Sequence, residues 1–474
     1  MGEEAHLGRL ALSIPGGSIG PRAAAHLLGR IGFGPRPGQV QEVLSRGLEK
    51  HALEQLEPAG DPELEARLAP FATLGWSIQQ VLAAEDADRR STARVLGEFF
   101  SAKLVRVAHA KNQLQEVLTD FWFNHFNVNV RDGFLRSSTP AYERDAIRPR
   151  ALGRFRDLLG ASAEHPAMLY YLDNYLSTVA ITVGGRKRGG INENYGRELL
   201  ELHTLGNDAG YDQQDVVDSA RCFTGWGIEN QRRSGAFVFR PQAHDRGAKS
   251  VYGLSLPAGG GKEDGDRLLD HLVSQSATAR RVSSRLVQRF VADDPPAALV
   301  ERCAGTFLRS DGDIGEVMKT ILGSAEFWAE AFGPGKAKTP LELVGSAVRA
   351  VDAEVSNGRG LEGALEAMGM PAYSAVPPTG YTNRGVDWLN PSSQLAKINF
   401  GLDLATGVVP GVRVGATFGD DPRRVAEAFA AQILGGRVMA STLDTAARVG
   451  PGSRPSAPER AVALMLASPD FQVR

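Results

Sequence analysis

Residues 91–126 read STARVLGEFFSAKLVRVAHAKNQLQEVLTDFWFNHF, with apolar side chains recurring at steps of three and four residues. These side chains are Leu96, Phe99, Phe100, Leu104, Val107, Leu114, Val117, Leu118, Phe121 and Trp122. Such spacing lines one side of an α-helix and predicts one long amphipathic helix or a pair of helices. Because the same periodicity recurs along most of the chain, we expect a mainly α fold, a multi-helix globular bundle.

Further helices are predicted from the same spacing. They cover residues 142–160, 166–177, 192–205, 212–223, 265–273, 277–292, 296–310, 314–322 and 340–351. Near the N-terminus, a Gly- and Pro-rich turn at 32–38 separates two helical runs and predicts a helix-turn-helix hairpin. Residues 227–261 differ, because apolar and polar residues alternate around Phe237-Val238-Phe239, and this pattern predicts a small β-hairpin insertion.

We expect the 474 residues to form one unit, with helical subregions at about 20–226 and 262–474 joined by the insertion 227–261. Lys and Arg number 53 against 55 Asp and Glu, so no polyanion-binding surface is indicated and nucleic acid is excluded as a partner. No window approaches the ~20 apolar residues of a membrane span.

The N-terminus opens acidic and lacks the charged-then-apolar layout of a secretory signal, which predicts a cytoplasmic protein. The two cysteines, Cys222 and Cys303, do not have the spacing of zinc ligands or of a redox motif. We therefore expect both to be buried free thiols.

The densest polar stretch is NENYGRELLELHTLG, residues 192–206. On an α-helix, Asn194, Glu198 and Glu201 share one face. Two carboxylates one turn apart can hold a divalent cation or divide the roles of general acid and base. The leucines of this stretch give the helix an apolar side, so the polar groups are expected to face the interior as the wall of a pocket.

A structural alternative exists for the same helix. Glu193, Arg197 and Glu201 follow one another at steps of four residues, which is also the pattern of an ion-pair ladder on an exposed helix. Such a ladder stabilises a helix by roughly a few tenths of a kcal/mol per pair and needs no substrate or metal.

Three histidines outside this helix are further candidates. His125 lies among aromatic residues beside Asn124, where a neutral imidazole can be a ligand or a base, or simply a hydrogen-bonded core residue. His165 precedes a proline and is either a ligand or the cap of a helix, at whose far end Asp173 and Asn174 could reach inward. His244 is followed by Asp245, and this pair can share a metal or begin a turn.

The basic loop 184–190, GGRKRGG, contains glycines that can bring backbone amides to a phosphate. The P-loop pattern is absent, so we expect a solvated surface loop instead.

Several blocks together resemble one known family. They are FWFNHF at 121–126, HPAM at 165–168, YLDN at 171–174, the polar stretch 192–206, ARCFTGW at 220–226, His244-Asp245 with Gly247 and Lys249, KTPLE at 338–342, and PTGY at 378–381 with Trp388. In this order they resemble the bacterial family catalogued as domain of unknown function 1800, over roughly residues 20–405.

The resemblance implies a mostly helical fold and no established activity. It also implies export, which many relatives' leaders indicate, and a partner resembling the alkaline phosphatase and sulfatase superfamily. This sequence departs from the family by lacking an evident leader. It departs again at residues 274–279, SQSATA, where relatives tend to have His-Pro before Ala-Thr-Ala.

Two functional hypotheses follow. The first is a hydrolytic or modifying enzyme acting on a polar or anionic substrate. Its catalytic residues are Glu198, Glu201, His125 and Arg197; its substrate-binding residues are Asn124, Asn192, Asn194, Asp173, Arg221 and Lys249; and its divalent metal ligands are Glu198, His125, His165, His244 and Asp245. The alternative is a non-catalytic binding or assembly protein, in which the same residues form a buried structural network.

Overall fold

Helices make up most of the chain in the computed structural model, which describes residues 10–15, 19–183, 186–416, 419–450 and 455–474. The first helices are α1 (Pro21–Arg30), α2 (Gln39–Arg46), α3 (Leu48–Leu56), α4 (Pro62–Leu68), α5 (Ile78–Ala87), α6 (Ser91–His109), α7 (Gln113–His125), α8 (Leu135–Ala141), α9 (Phe155–Glu164), α10 (Pro166–Tyr171), α11 (Asn194–Glu198) and α12 (Gln213–Cys222). The later ones are α13 (Glu263–Val273), α14 (Ser276–Phe290), α15 (Ala297–Arg309), α16 (Ile314–Leu322), α17 (Ala325–Ala329), α18 (Pro340–Ala350), α19 (Arg359–Ala367), α20 (Pro391–Ala405), α21 (Pro422–Gln432), α22 (Ala440–Ala447) and α23 (Ala457–Ala467).

Shorter helical turns join these elements. Among the described residues they include the π-helices Tyr142–Ile147 and Leu199–His203 and the 3₁₀ turns Arg148–Arg150, Asn174–Leu176, Asn207–Ala209 and Gly385–Trp388. The strands form antiparallel pairs: β1 (Ile181–Val183) with β2 (Arg186–Arg188), β3 (Trp226–Glu229) with β4 (Ala236–Phe239), β5 (Lys249–Val251) with β6 (Leu254–Leu256), and β7 (Glu354–Val355) with β8 (Val412–Arg413). The mainly α fold with a β insertion is therefore confirmed.

The stretch 91–126 forms a pair of helices, α6 and α7, rather than one. The chain turns between them at residues 110–112, where side chains from elsewhere bind the free backbone N–H groups. Asp61 accepts from Lys111 N at 2.8 Å, and Gln55 accepts from Leu114 N at 3.1 Å. Helix α7 is buried along nearly its whole length, as its aromatic sequence predicts.

Two predicted helices are interrupted. Residues 142–160 contain Pro149, which has no N–H to donate, and the chain passes through the first π-helix and a 3₁₀ turn before α9 begins. The predicted helix 192–205 changes from α to π after Glu198. By contrast, α12 has the expected start, because Asp212 and Asp215 form a capping box.

The β insertion consists of two hairpins instead of one. In the first, Trp226 pairs with Phe239, and in the second, Lys249 pairs with Leu256. Of the loop 184–190, Gly184 and Gly185 lie outside the described residues, as does the N-terminus at 1–9.

One large hydrophobic cluster extends from Leu10 to Phe471 and contains Trp122, Trp226 and Trp328. Cys222 and Cys303 are both buried and unpaired, as expected. Within the described ranges, no helix combines the length and the apolar character needed to cross a bilayer.

Candidate functional site

The polar stretch 192–206 contains the short α-helix α11 followed directly by a π-helix. The side chain of Asn192 accepts a hydrogen bond from the N–H of Asn194 at 2.9 Å, and so helps to begin α11. After Glu198 the chain widens to the π-helix Leu199–His203. The Thr204 hydroxyl donates to the Leu199 carbonyl at 2.6 Å. A π-helical turn is much rarer than an α-helical one and occurs frequently at functional sites.

Glu198 and Glu201 lie on either side of the change from α to π and are both half-buried. Burial raises the pKa of Glu198, and the negative charge of Glu201 raises it further against the opposing effect of Arg197. Tyr171 lies close enough for Glu198 to raise its pKa, although burial is the main reason that this pKa reaches about 12. The two carboxylates therefore share a partly desolvated site.

Only the first step of the predicted ion-pair ladder is present in the described chain. Arg197 lies 3.2 Å from Glu193, and both side chains are about 40% exposed. Gln213 joins this pair at 3.1 and 2.7 Å. Among the described residues, Arg197 has no ion pair with Glu201. The ladder explanation therefore accounts for Glu193 and not for the two half-buried carboxylates.

The side chain of His125 contacts the backbone of the π-helix. Its Nε2 lies 3.0 Å from the carbonyl oxygen of His203, which can only accept, so Nε2 carries the proton. Its Nδ1 is buried and has no hydrogen-bond partner within the described chain. Burial, with the charge of Arg285, holds the pKa of His125 well below its usual value, and burial with Arg281 holds that of His203 at about 3. Both imidazoles are therefore neutral.

Asn124 and His165 have structural partners. Asn124 accepts from Tyr381 N at 3.1 Å and donates to the Asp120 carbonyl at 3.0 Å. The Nδ1 atom of His165 accepts from Ala167 N at 3.1 Å, so His165 is the N-terminal cap of α10.

Asp173 does not reach inward as expected. It is exposed, because its backbone adopts the left-handed conformation with φ of 57° at the end of α10. Asn174, the other residue expected to reach inward, is buried and donates to the carbonyls of Phe223 and Trp226 at 3.1 and 3.2 Å.

His244 and Lys249 converge on a residue that the sequence did not single out, Asp264 at the start of α13. His244 Nε2 and Lys249 Nζ lie 3.3 and 2.7 Å from the same oxygen of Asp264. His244 Nδ1 lies 2.8 Å from the carbonyl of Thr224. Asp264 resembles an ordinary acidic first turn in the sequence, so no local signal distinguishes it.

Arg221 binds both oxygens of Asp245, at 2.9 and 3.1 Å, and binds Asp218 at 2.7 Å. Asp218 in turn accepts from Ser250 N at 3.0 Å. These bonds hold α12 against the second hairpin and against the segment that connects the two hairpins.

The five predicted metal ligands do not gather at one place. His165 is at the start of α10, His244 and Asp245 are in the hairpin region, and Glu198 and His125 are near the π-helix. In the part of the chain that the structure describes, no three His, Cys, Asp or Glu side chains form a group that could hold a metal ion. These five residues come from separate motifs, and the described part of the chain does not bring all of them together.

Comparison with known proteins gives a family and no closer relative. No curated protein and no solved structure matches significantly. A family model described as "Protein of unknown function (DUF1800)" matches residues 26–473. This range contains the π-helix, the hairpin cluster and helix α18. Because the match extends over nearly the whole chain, the protein belongs to the DUF1800 family.

Proposed function

We propose that the protein is an enzyme, hydrolytic or group-modifying, that acts on a polar or anionic substrate and uses Glu198 to carry a proton. The proposal depends on one observation: Glu198 is half-buried beside Glu201, where the α-helix becomes a π-helix. Burial and the neighbouring charge of Glu201 both raise the pKa of Glu198. A general acid or base works best when its pKa approaches the working pH, and burial beside a second carboxylate is a usual way to raise it.

The surrounding groups have complementary roles in this proposal. Glu201 is the companion carboxylate, and half-exposed Arg197 binds an anionic part of the substrate. The hydroxyl of Tyr171 donates to the Val376 carbonyl at 2.7 Å and borders the same site. His125 supports the π-helix from behind through the His203 carbonyl, and so positions the carboxylates.

An activity panel tests the proposal. The purified chain is assayed with chromogenic phosphate, sulfate, ester and glycoside substrates. We expect Glu198→Gln to reduce any turnover found by at least ~100-fold, because general acid–base groups contribute about 10²–10⁴-fold. Glu193→Gln is the control, since it removes a carboxylate that directly precedes α11 and pairs with Arg197, outside the pair Glu198 and Glu201. Absence of turnover by the wild type, or equal loss in both variants, contradicts the proposal.

The pH dependence of stability provides a second, activity-independent prediction. A carboxyl whose pKa is raised on folding contributes stability below its unfolded pKa and loses it as pH rises through the folded pKa. At pH 7.5, ionised Glu198 therefore destabilises the fold. We expect Glu198→Gln to have a Tm equal to or higher than the wild type at pH 7.5, with the gap closing towards pH 4, as measured by calorimetry.

A second candidate function is that of a non-catalytic assembly protein. The cluster around Asp264, whose polar side chains bond to one another, favours this alternative. There, His244, Lys249 and Asp264 are all buried and bonded to one another, as in a network that fixes packing. If Glu198 belonged to such a network, its removal would lower Tm substantially at pH 7.5. That outcome, without any loss of activity, would favour assembly over catalysis.

A further inference from the structure

A cavity of about 60 Å³ lies between α1, the start of α18 and the residues at 470–474, on elements other than those of the carboxylate site. Four cationic side chains line it, Arg22, Lys338, Arg437 and Arg474, against two anionic ones, Glu342 and Asp470. Its remaining wall includes apolar residues such as Phe33, Ile433 and Phe471. A volume of this size holds several water molecules or one small polyatomic ion.

Lys338 is the unusual member of this wall. Its side chain is buried, with the residue only 6% exposed, and its Nζ lies 3.7 Å from the centroid of the Phe471 ring. Among the described residues, no side-chain or backbone acceptor bonds to this Nζ, although an ammonium group has three donors. Burying a charge without a hydrogen-bonded partner is costly, so the ammonium lacks an acceptor that the cavity has room to hold.

Glu342, the buried carboxylate that lines the cavity, is already bonded to other groups. Glu342 binds Arg289, lies 2.7 Å from Arg474 Nη2, and accepts from Thr339 N at 2.8 Å in the capping box of α18. A single carboxylate therefore serves two guanidinium groups and a helix start.

Positive charge also predominates behind the cavity wall. Five buried cations lie in this region, Arg30, Arg289, Lys336, Lys338 and Arg474. In the described chain three carboxylates contact them: Glu342 serves Arg289 and Arg474, Asp293 binds Lys336, and Glu330 lies 3.7 Å from Arg30. Arg30 is fully buried, and its Nε has no partner in the same part of the chain. The surplus of positive charge indicates that an anion completes this region.

We propose that the cavity binds a small oxyanion of the phosphate or sulfate class, with the Lys338 ammonium as its main ligand and Arg437 and Arg22 at its entrance. The small volume excludes a large ligand, and a tetrahedral oxyanion offers several acceptors to an ammonium and to guanidinium groups. The block KTPLE at 338–342 then has a double role: Lys338 binds the anion, and Thr339 and Glu342 begin the helix behind it.

Anion binding is coupled to the charge of Lys338. Burial lowers the pKa of this lysine to about 7. The negative charge of Glu342 opposes this shift, and the positive charge of Arg474 adds to it. The other titratable groups facing the cavity are Arg22 and His26 from α1, with Arg437 and Asp470. Because the pKa of His26 is held well below 6.5 by burial and by Arg30, Lys338 is the group lining the cavity that changes charge between pH 6 and 8.5. Lys336, behind the cavity wall, has a pKa lowered by burial to about 8 and loses its charge in the same range, so the Lys338 variant is needed to assign the pH dependence. Sulfate keeps its charge over this range and is therefore the better probe of pH dependence.

Calorimetric titration with inorganic phosphate and with sulfate, at constant ionic strength set by chloride, tests the proposal on the full chain. We expect one site per chain, sulfate binding at least ~10-fold tighter at pH 6 than at pH 8.5, and a rise in Tm of about 2–3 °C at saturating anion. Acetate serves as the carboxylate probe. Tighter binding of acetate than of either tetrahedral ion would overturn the assignment of ligand class.

Lys338→Met is the deciding variant. Methionine loses the contact of Nζ with the Phe471 ring, but it places an apolar side chain of similar length there and removes a desolvated ammonium. The variant is therefore expected to fold, with a Tm in chloride close to that of the wild type. We expect it to lose the phosphate and sulfate effects. Lys50→Met removes the same charge from an exposed position on α3 and should keep them. If Lys338→Met binds as the wild type does, or if phosphate and sulfate act no differently from chloride, the proposal is wrong. Neither result depends on the activity assigned to Glu198.

Discussion

Replacing Arg148 by Met is expected to lower the free energy of unfolding by about 3–5 kcal/mol, because it leaves two carboxylates buried without their partner. Arg148 lies 2.6 Å from Glu116 and 2.8 Å from Glu143, whose side chains are 7% and 3% exposed. Tyr373 donates a short hydrogen bond to the other oxygen of Glu143. For a chain of this length, the loss corresponds to a fall in Tm of about 4 °C.

Arg154→Met is the matched control for this prediction. Arg154 pairs with Asp311 at 2.7 Å, but both side chains are more than half exposed, so the loss should stay within about 1 kcal/mol. Urea unfolding followed by circular dichroism measures both variants. We also expect Glu143→Gln combined with Arg148→Met to cost less than the sum of the two single changes. Equal Tm values for Arg148→Met and Arg154→Met would show that the buried network does not stabilise the fold.

The second large effect is expected from acid. Burial alone would raise the pKa of Glu143 and of Glu342, but neighbouring cations outweigh it and hold each pKa at about 2. A carboxyl with a depressed pKa contributes stability above its unfolded pKa and loses it as pH falls through the folded value. Each residue thus contributes about 3 kcal/mol at neutral pH, and the contribution is lost between about pH 5 and pH 2.

Thermal unfolding at intervals from pH 7 to pH 3 measures this loss. Glu143→Gln should be destabilised at pH 7 but should depend less on pH than the wild type, because one of the two linked protons has been removed. Glu366→Gln, which removes an exposed carboxylate paired with Arg131, should follow the wild-type curve. A wild-type Tm that stays constant from pH 5 to pH 3 would contradict the depressed pKa values.

Apart from Glu342, which belongs to the block KTPLE at 338–342, these two predictions concern residues that the sequence did not single out. Glu143 and Arg148 are five residues apart in a stretch predicted as plain helix, and Tyr373 is 230 residues from Glu143 along the chain. No local pattern indicates that they meet. The same holds for Asp264, whose position in the first turn of α13 is ordinary until His244 and Lys249 pack against it.

Helical spacing was sufficient to predict the α6–α7 pair, α12 and most later helices. Burial of an apolar stripe and capping, as by Asp212 at the start of α12, are local properties of the sequence. Helical spacing was insufficient for the two π-helices. The side chains of 192–206 have the periodicity of an α-helix, and the wider turn depends on what the rest of the fold packs against Leu199–His203.

By itself, the sequence determined the helical class, the β insertion, the buried cysteines and the family blocks, including the polar stretch 192–206. These follow from composition, periodicity and order along the chain. Tertiary structure alone decided which polar residues have partners. It capped α10 with His165, turned Asp173 outward and paired Arg221 with Asp245, and it left Glu198 half-buried beside Glu201 and Lys338 without an acceptor. Burial and pairing set the cost of a charge, and both arise only when distant segments pack together.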